Sequence, residues 1–287
     1  MKIIDPHIHL FDIENGDYLW LKPENGPFWP DKEKIARSFK ESALMLTKPM
    51  QLNGFVHIEA GYDNQNPWRE LQYLENSCKV AFKSIAMLDI TMPHQLFLQQ
   101  FELLACKPSF VGVRYILEDV SDDFFSQVQV LENLKHLGRC KVIFELQFPF
   151  ERTVLVDEII NLLNEYPDFK MAICHGGFAP TSSQMKQIWR KNVAKIAEFK
   201  HIVIKCSGQE MLSTTHRHID AASFQAHINE CISLFSDERV LLASNFPLIS
   251  LAMPYSNYWQ MLANMYAEQP KRWSKLSIEN ALNFYFC

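Results

Sequence analysis

Two histidines one residue apart, His7 and His9, stand in the run Asp5-Pro6-His7-Ile8-His9, and a third, His175, precedes a glycine pair in Cys174-His175-Gly176-Gly177. In an extended strand, side chains two apart share a face, so Asp5, His7 and His9 are expected to point the same way. Two imidazoles meeting on one face can ligate a metal ion or hold a polar substrate group. Other polar residues close short apolar runs in the same manner. They are His57 and Glu59, Arg114 in Gly112-Val113-Arg114, Glu145 and Gln147, and Asn245 in Ser244-Asn245-Phe246-Pro247. Any one of them could be a satisfied core group, and Arg114 is of a type buried chiefly when paired. Recurrence at the same end of successive runs marks His7, His9, His175 and Asn245 as candidate catalytic residues. By the same logic Arg114, His57, Glu59 and Gln147 are candidate substrate-binding residues. His216 and His218 repeat the His-x-His spacing, but within the polar stretch Ser213–Asp220, and are read as a solvated loop.

The runs that carry these residues are short, apolar and β-branched: Lys2–His9, Gly54–Ala60, Val80–Asp89, Ser109–Ile116, Cys140–Leu146, Lys170–His175, His201–Ser207 and Arg239–Asn245. Most lack strict alternation, as expected of strands covered on both faces. Between them lie segments of helical period, clearest in Gln184–Phe199 and repeated in Leu96–Leu104, Phe124–Leu137, Val154–Tyr166 and Phe224–Phe235. Eight strand–helix units imply parallel strands and right-handed crossovers. In 287 residues they predict one domain, a (β/α)8 TIM barrel, rather than a doubly wound sheet. No GxGxxG follows the first strand. The irregular stretch Phe11–Asp31, with Trp20, Phe28 and Trp29, is expected to lie over the active-site face.

Composition narrows the partners. A net charge of −5 gives no basic surface for nucleic acid or anionic lipid. There is no run of eighteen apolar residues, so no membrane span is expected. Polar residues come too early for a signal peptide, so a cytoplasmic location is expected. Seven cysteines, an odd number without CxxC, fit free thiols in a reducing compartment. A small-molecule substrate is the expected partner, and a homodimer stays open.

DPHIHLFD resembles the opening DxHxHxxD motif of the amidohydrolase superfamily. Further segments are similar to its lactonase-like branch, which includes sugar lactonases and 2-pyrone-4,6-dicarboxylate lactonase. Tyr18–Leu21 resembles YPWL, Gly112–Arg114 a GVR strand and Ile173–Gly177 the DHLGKP region. Ile204–Gly208 resembles CKLSG, Leu242–Pro247 GSDWP, and Asn280–Tyr285 the closing NAxxFY. The resemblance implies a (β/α)8 fold and hydrolysis of a lactone or similar cyclic ester. It also implies that His7, His9 and His175 contact a metal or the scissile group, and that Arg114 binds a substrate carboxylate or hydroxyl. One divalent ion, Zn2+ or Mn2+, or none, is consistent with it. No histidine ends the fifth strand, which speaks against a two-metal site.

The resemblance breaks at Asn245, where the branch carries an aspartate. An amide cannot take a proton from water. His175 is the first candidate for the missing base, followed by Glu145 and His57, with His7 and His9 polarising the carbonyl. The alternatives are a metal-dependent decarboxylase of the same superfamily and a catalytically degenerate barrel.

Overall fold

The structure is a computed structural model and describes residues 1–287 other than Thr214 and His216. Eight parallel strands stand in sequence order: β1 (Lys2–Ile8), β2 (Gln51–Ile58), β3 (Phe82–Met87), β4 (Phe110–Ile116), β5 (Ile143–Gln147), β6 (Met171–Ile173), β7 (Ile202–Cys206) and β8 (Val240–Leu242). A parallel bridge between Ile8 and Phe246 closes the ring at the strands' C-terminal end. The helices α1 (Trp68–Ser77), α2 (His94–Ala105), α3 (Val128–Arg139), α4 (Thr153–Glu165), α5 (Ser183–Ala197), α6 (Ala221–Phe235) and α7 (Tyr255–Met265) follow strands β2 to β8 in turn. The fold is a (β/α)8 barrel with one departure from the eightfold expectation. The crossover from β1 to β2 carries only short 3-10 turns at Leu19–Leu21, Lys32–Lys34 and Glu41–Ala43. The last run, Arg239–Asn245, shortens to β8 because Asn245 turns to a left-handed φ of 60°.

Ile4, Val56, Ile58, Ile85, Ile143, Ala172, Val203 and Leu241 form one buried cluster with Ala281, Phe284 and Tyr285 of the closing segment. These branched side chains pack the barrel interior. Asn280 donates to the carbonyl of Val240 at the start of β8, so the closing segment seals the end where the strands begin. The other end is left for chemistry.

The shared face expected for Asp5, His7 and His9 does not form. Asp5 pairs with Phe55 and Ile8 with His57, so β1 carries one more residue than β2 between the two pairs. Such a bulge breaks the two-residue period. Asp5 Oδ1 instead accepts from the backbone N–H of His7 at 3.3 Å and of Ser244 at 3.1 Å, tying β1 to β8. Burial raises the Asp5 carboxyl to about 6, against these hydrogen bonds.

The long connection after β1 lies at the C-terminal end, as expected. The Trp20 indole donates to the carbonyl of Ala60, just past β2. The buried Lys32 ammonium gathers the carbonyls of Trp20, Lys22 and Asn25. Asp31 pairs with Arg217 beyond β7 at 2.6 Å. Within the polar stretch that includes Arg217, His218 is exposed, in keeping with a solvated loop, and His216 lies outside the described residues. Among the described residues, no helix is long and apolar enough to cross a membrane.

Candidate active site

Three imidazoles gather at the barrel mouth. The His7 ring is fully buried, with its centroid 5.1 Å from that of His9 and 4.7 Å from that of His175. His9 Nδ1 lies 2.8 Å from the Ile58 carbonyl and 3.2 Å from the Glu59 carbonyl. Carbonyls only accept, so Nδ1 holds the proton and Nε2 presents a lone pair. His175 Nδ1 meets Ser207 Oγ at 2.9 Å. Among the described residues, neither ring nitrogen of His7 has a hydrogen-bond partner. Burial pushes His7 well below the usual histidine range, helped by the nearby Lys205 charge. His9 is lowered by burial and by Arg114. His175 falls to about 3 through burial, Lys205 and Arg114. All three rings are therefore neutral at pH 7, the state in which imidazole can ligate a cation.

The turn that presents His175 is left-handed throughout. His175, Gly176, Gly177 and Phe178 have φ of 53°, 62°, 67° and 51°. For the two non-glycine residues this costs roughly 1–2 kcal/mol each, and the Trp189 indole holds the turn by donating to the Gly176 carbonyl at 2.9 Å. Gly208 closes on the same ring from β7. Its φ is +75°, and a Cβ there would sit 2.6 Å from His175 Nδ1. Gly208→Ala is thus expected to push His175 off Ser207 and cut turnover at least tenfold. Its stability cost should exceed the roughly 1–2 kcal/mol of one alanine in this conformation, because the new Cβ would also lie 2.9 Å from His175 Cβ. Paired activity and thermal-melt measurements check the split, and an unchanged kcat would contradict it.

Beneath the imidazoles lies a buried ionic layer. Glu145 and Lys205, both fully buried, form an ion pair. The same carboxylate accepts from the Tyr285 hydroxyl at 2.6 Å and from the Cys174 thiol at 3.0 Å. Glu145 is thereby excluded as the free base that its strand position suggested. Lys205 was not singled out from the sequence, although a lysine inside the apolar run of β7 was the available signal.

Arg114 is held by Glu59. Its Nε donates to Glu59 Oε1 at 2.8 Å and its Nη2 reaches the same carboxylate at 2.6 Å and the Glu59 carbonyl at 2.9 Å. Nη1 donates to Gln147 Oε1 at 2.7 Å, and Gln147 passes the chain to Glu118. Arg114, Glu59 and Gln147 thus form one network at the mouth. One Nη1 hydrogen has no partner among the described residues. His57 does not join them. The Leu10 N–H donates to its Nδ1, so Nε2 donates to Glu70 of α1 at 2.9 Å. Glu70 also accepts from the Ala60 N–H. The expectation that His57 binds substrate or replaces the base is corrected: its ring turns to the helical layer and ties the ends of β1 and β2 to α1.

Asn245 has a partner that the sequence did not reveal. Its Nδ2 donates to Glu210 Oε1 at 2.6 Å, and Glu210 Oε2 is buried without a partner among the described residues. Glu210 is fully buried three residues beyond Ser207, and burial raises its carboxyl to about 7 despite the Asn245 bond. Such a group exchanges protons at neutral pH. Glu210 follows a loop glycine rather than ending a strand, so strand-end logic passed over it.

The donor set suits a cation in kind: neutral imidazoles, and in His7 a buried ring whose nitrogens lack partners. Among the described residues, the donor atoms at this end lying within 4.8 Å of one another belong to His7, Glu145 and Cys174. His9 and His175 are outside that tight group.

The chain is 21% identical to an L-fucono-1,5-lactonase of Burkholderia ambifaria, over 88% of this chain and 86% of that protein. Its fold matches a zinc-bound amidohydrolase of Burkholderia multivorans with a TM-score of 0.80 and 18% identity, covering 100% and 99% of the two chains. A probable 2-pyrone-4,6-dicarboxylic acid hydrolase of Acinetobacter baumannii, with citric acid bound, matches at 0.70 and 18%, covering 100% of each. A 2,6-dihydroxybenzoate decarboxylase from Rhizobium matches at 0.64 and 11%, covering 99% and 98%. The amidohydrolase family model matches residues 4–286, from the first strand of the barrel to the segment that seals it. With that span matched and the imidazoles at the mouth where the opening motif places them, the chain belongs to the amidohydrolase family.

Proposed function

We propose that the protein is a hydrolase that opens a lactone or similar cyclic ester of a small polar substrate. The reading is carried by one arrangement: neutral imidazoles cluster at the barrel mouth, and Asn245, whose backbone N–H donates to the His7 carbonyl at 3.0 Å, holds Glu210, a carboxyl that burial raises to about 7. Ester hydrolysis needs those two things, a polarised carbonyl and a proton acceptor for water.

His175 is a poor proton acceptor, because a ring with a pKa of about 3 holds a proton weakly at pH 7. Glu210 is better matched. It takes the proton of the attacking water and, once protonated, returns it to the departing alkoxide oxygen. Asn245 keeps that carboxyl oriented through Oε1 and leaves Oε2 for the proton. His9 presents a lone pair rather than an N–H to the mouth, so it suits a cation and not a carbonyl oxygen. His7, His9 and His175 would hold one divalent ion, Zn2+ or Mn2+, which when bound would polarise the carbonyl.

The pairing of the cations bears on substrate class. Arg114 is neutralised by Glu59 and Lys205 by Glu145, so neither offers a net positive charge to an anionic group. The spare Nη1 hydrogen of Arg114 can still orient a hydroxyl or a carbonyl. This favours a polyhydroxylated lactone over a dicarboxylate, and ring opening over decarboxylation. Glu210 also weakens the case for a degenerate barrel, because it supplies the acid that Asn245 does not.

The test is a panel of five- and six-membered hydroxylated lactones, followed by proton release with and without added Zn2+ or Mn2+, alongside elemental analysis of the purified protein. Turnover of at least one lactone is expected, and His7→Ala should abolish it. Silence across the panel under all metal conditions, or full turnover by His7→Ala, would overturn the reading.

A further inference from the structure

Behind the active-site wall, a second set of donor atoms is assembled. Cys206 ends β7; of its neighbours in the chain, Lys205 helps keep His7 neutral and Ser207 meets His175 Nδ1. Cys206 itself packs in the outer core, against α6. His227 and Cys231 lie four residues apart on that helix, a spacing that puts them on one face. Cys231 Sγ is 3.7 Å from His227 Nε2, and one donor atom from each of the three residues falls within 4.8 Å of the others. Cys206 and Cys231 are fully buried and His227 is 8% exposed.

We propose that Cys206, His227 and Cys231 form a binding site for a soft or borderline d10 cation of the Zn2+ class, separate from the catalytic mouth. Two thiolates and an imidazole are the donor chemistry of such ions, whereas hard cations take oxygen ligands. Gly176 seats the His227 ring directly against the turn that presents His175, since a Cβ there would lie 2.2 Å from His227 Nε2.

Binding replaces two S–H protons, which leave to solvent, by two metal–sulfur bonds, with no change of oxidation state. The ion would join β7 to α6 directly behind Ser207 and Gly176, the neighbours of His175. Its role would be to stiffen the wall that positions that ring.

The experiment uses reduced, chelator-treated full-length protein. It is titrated with Co2+, and also refolded in its presence to allow slow entry to a buried site. Thiolate-to-cobalt charge-transfer absorption in the near ultraviolet reports sulfur ligation, and His7→Ala removes the group of His7, Glu145 and Cys174 at the mouth as a second source of it. The absorption is expected in the wild type and in His7→Ala, to disappear on Zn2+ addition, and to be lost in His7→Ala/Cys231→Ser. Zn2+ should raise the Tm of His7→Ala but not of His7→Ala/Cys231→Ser. If the wild type, whose folding is not in question, shows no thiolate absorption by either route, the site does not exist. Persistence of the absorption in a folded His7→Ala/Cys231→Ser protein would equally refute it.

Discussion

Replacing Glu210 by glutamine is expected to slow turnover by about 10²–10⁴-fold, the usual worth of a positioned general base. The substitution is nearly isosteric. The amide oxygen it introduces can still accept from Asn245, so the local hydrogen bond survives while the proton acceptor is lost. The pH profile carries the sign. A general base works deprotonated, so the wild-type kcat/KM should climb as pH rises and level off above about 7, where burial has placed the Glu210 carboxyl. In Glu210→Gln that rising limb should vanish along with the rate. Asn245→Asp extends the argument. It sets a second carboxyl 2.6 Å from the first, and two such groups share a proton, with one of the pair's apparent pKa values strongly raised. The rising limb should then move to higher pH, although the substitution installs the aspartate that the sequence resemblance implies at this position. An unaltered profile in both variants would remove Glu210 from the mechanism.

Lys205→Met should be the most damaging substitution for the fold, at about 3–5 kcal/mol. It strands Glu145 as an uncompensated charge in a barrel core from which water is excluded. For a chain of this size the loss corresponds to a Tm drop on the order of 10 °C. Removing both charges in Lys205→Met/Glu145→Leu should recover much of it, because neither group then needs solvation. Recovery would stay incomplete, since the Tyr285 hydroxyl and the Cys174 thiol lose their shared acceptor. The double variant has a second readout. Lys205 follows burial as the cause holding His7 neutral, so without it the His7 ring should titrate at a higher pH. Thermal melts and imidazole NMR titration measure the two effects. Equal stability of the single and double variants would show that the ion pair is not what the core depends on.

Much of the scaffold was legible locally. Short β-branched runs marked all eight strands to within a few residues, because a strand covered on both faces must be apolar along its length. Five helices announced themselves by period. Helix α1 was not singled out: Glu70, one of its inward positions, is a charged residue serving His57 and Ala60. The cluster of His7, His9 and His175 followed from residues of one type placed at strand ends that the barrel brings to a single mouth.

The states of those residues were another matter. The sequence determined which groups reach the mouth; the tertiary structure decided which remain free to act there. Arg114 is engaged by a glutamate 55 positions away, Asn245 by one 35 positions away, and Glu145 by a tyrosine 140 positions away. One extra residue in β1 turned Asp5 toward β8, and His57 faced the helices instead of the pocket. Strand period and apolarity are properties of neighbours along the chain, so they can be read there. Charge pairing and pKa depend on distance through a dry interior, which sequence separation does not encode.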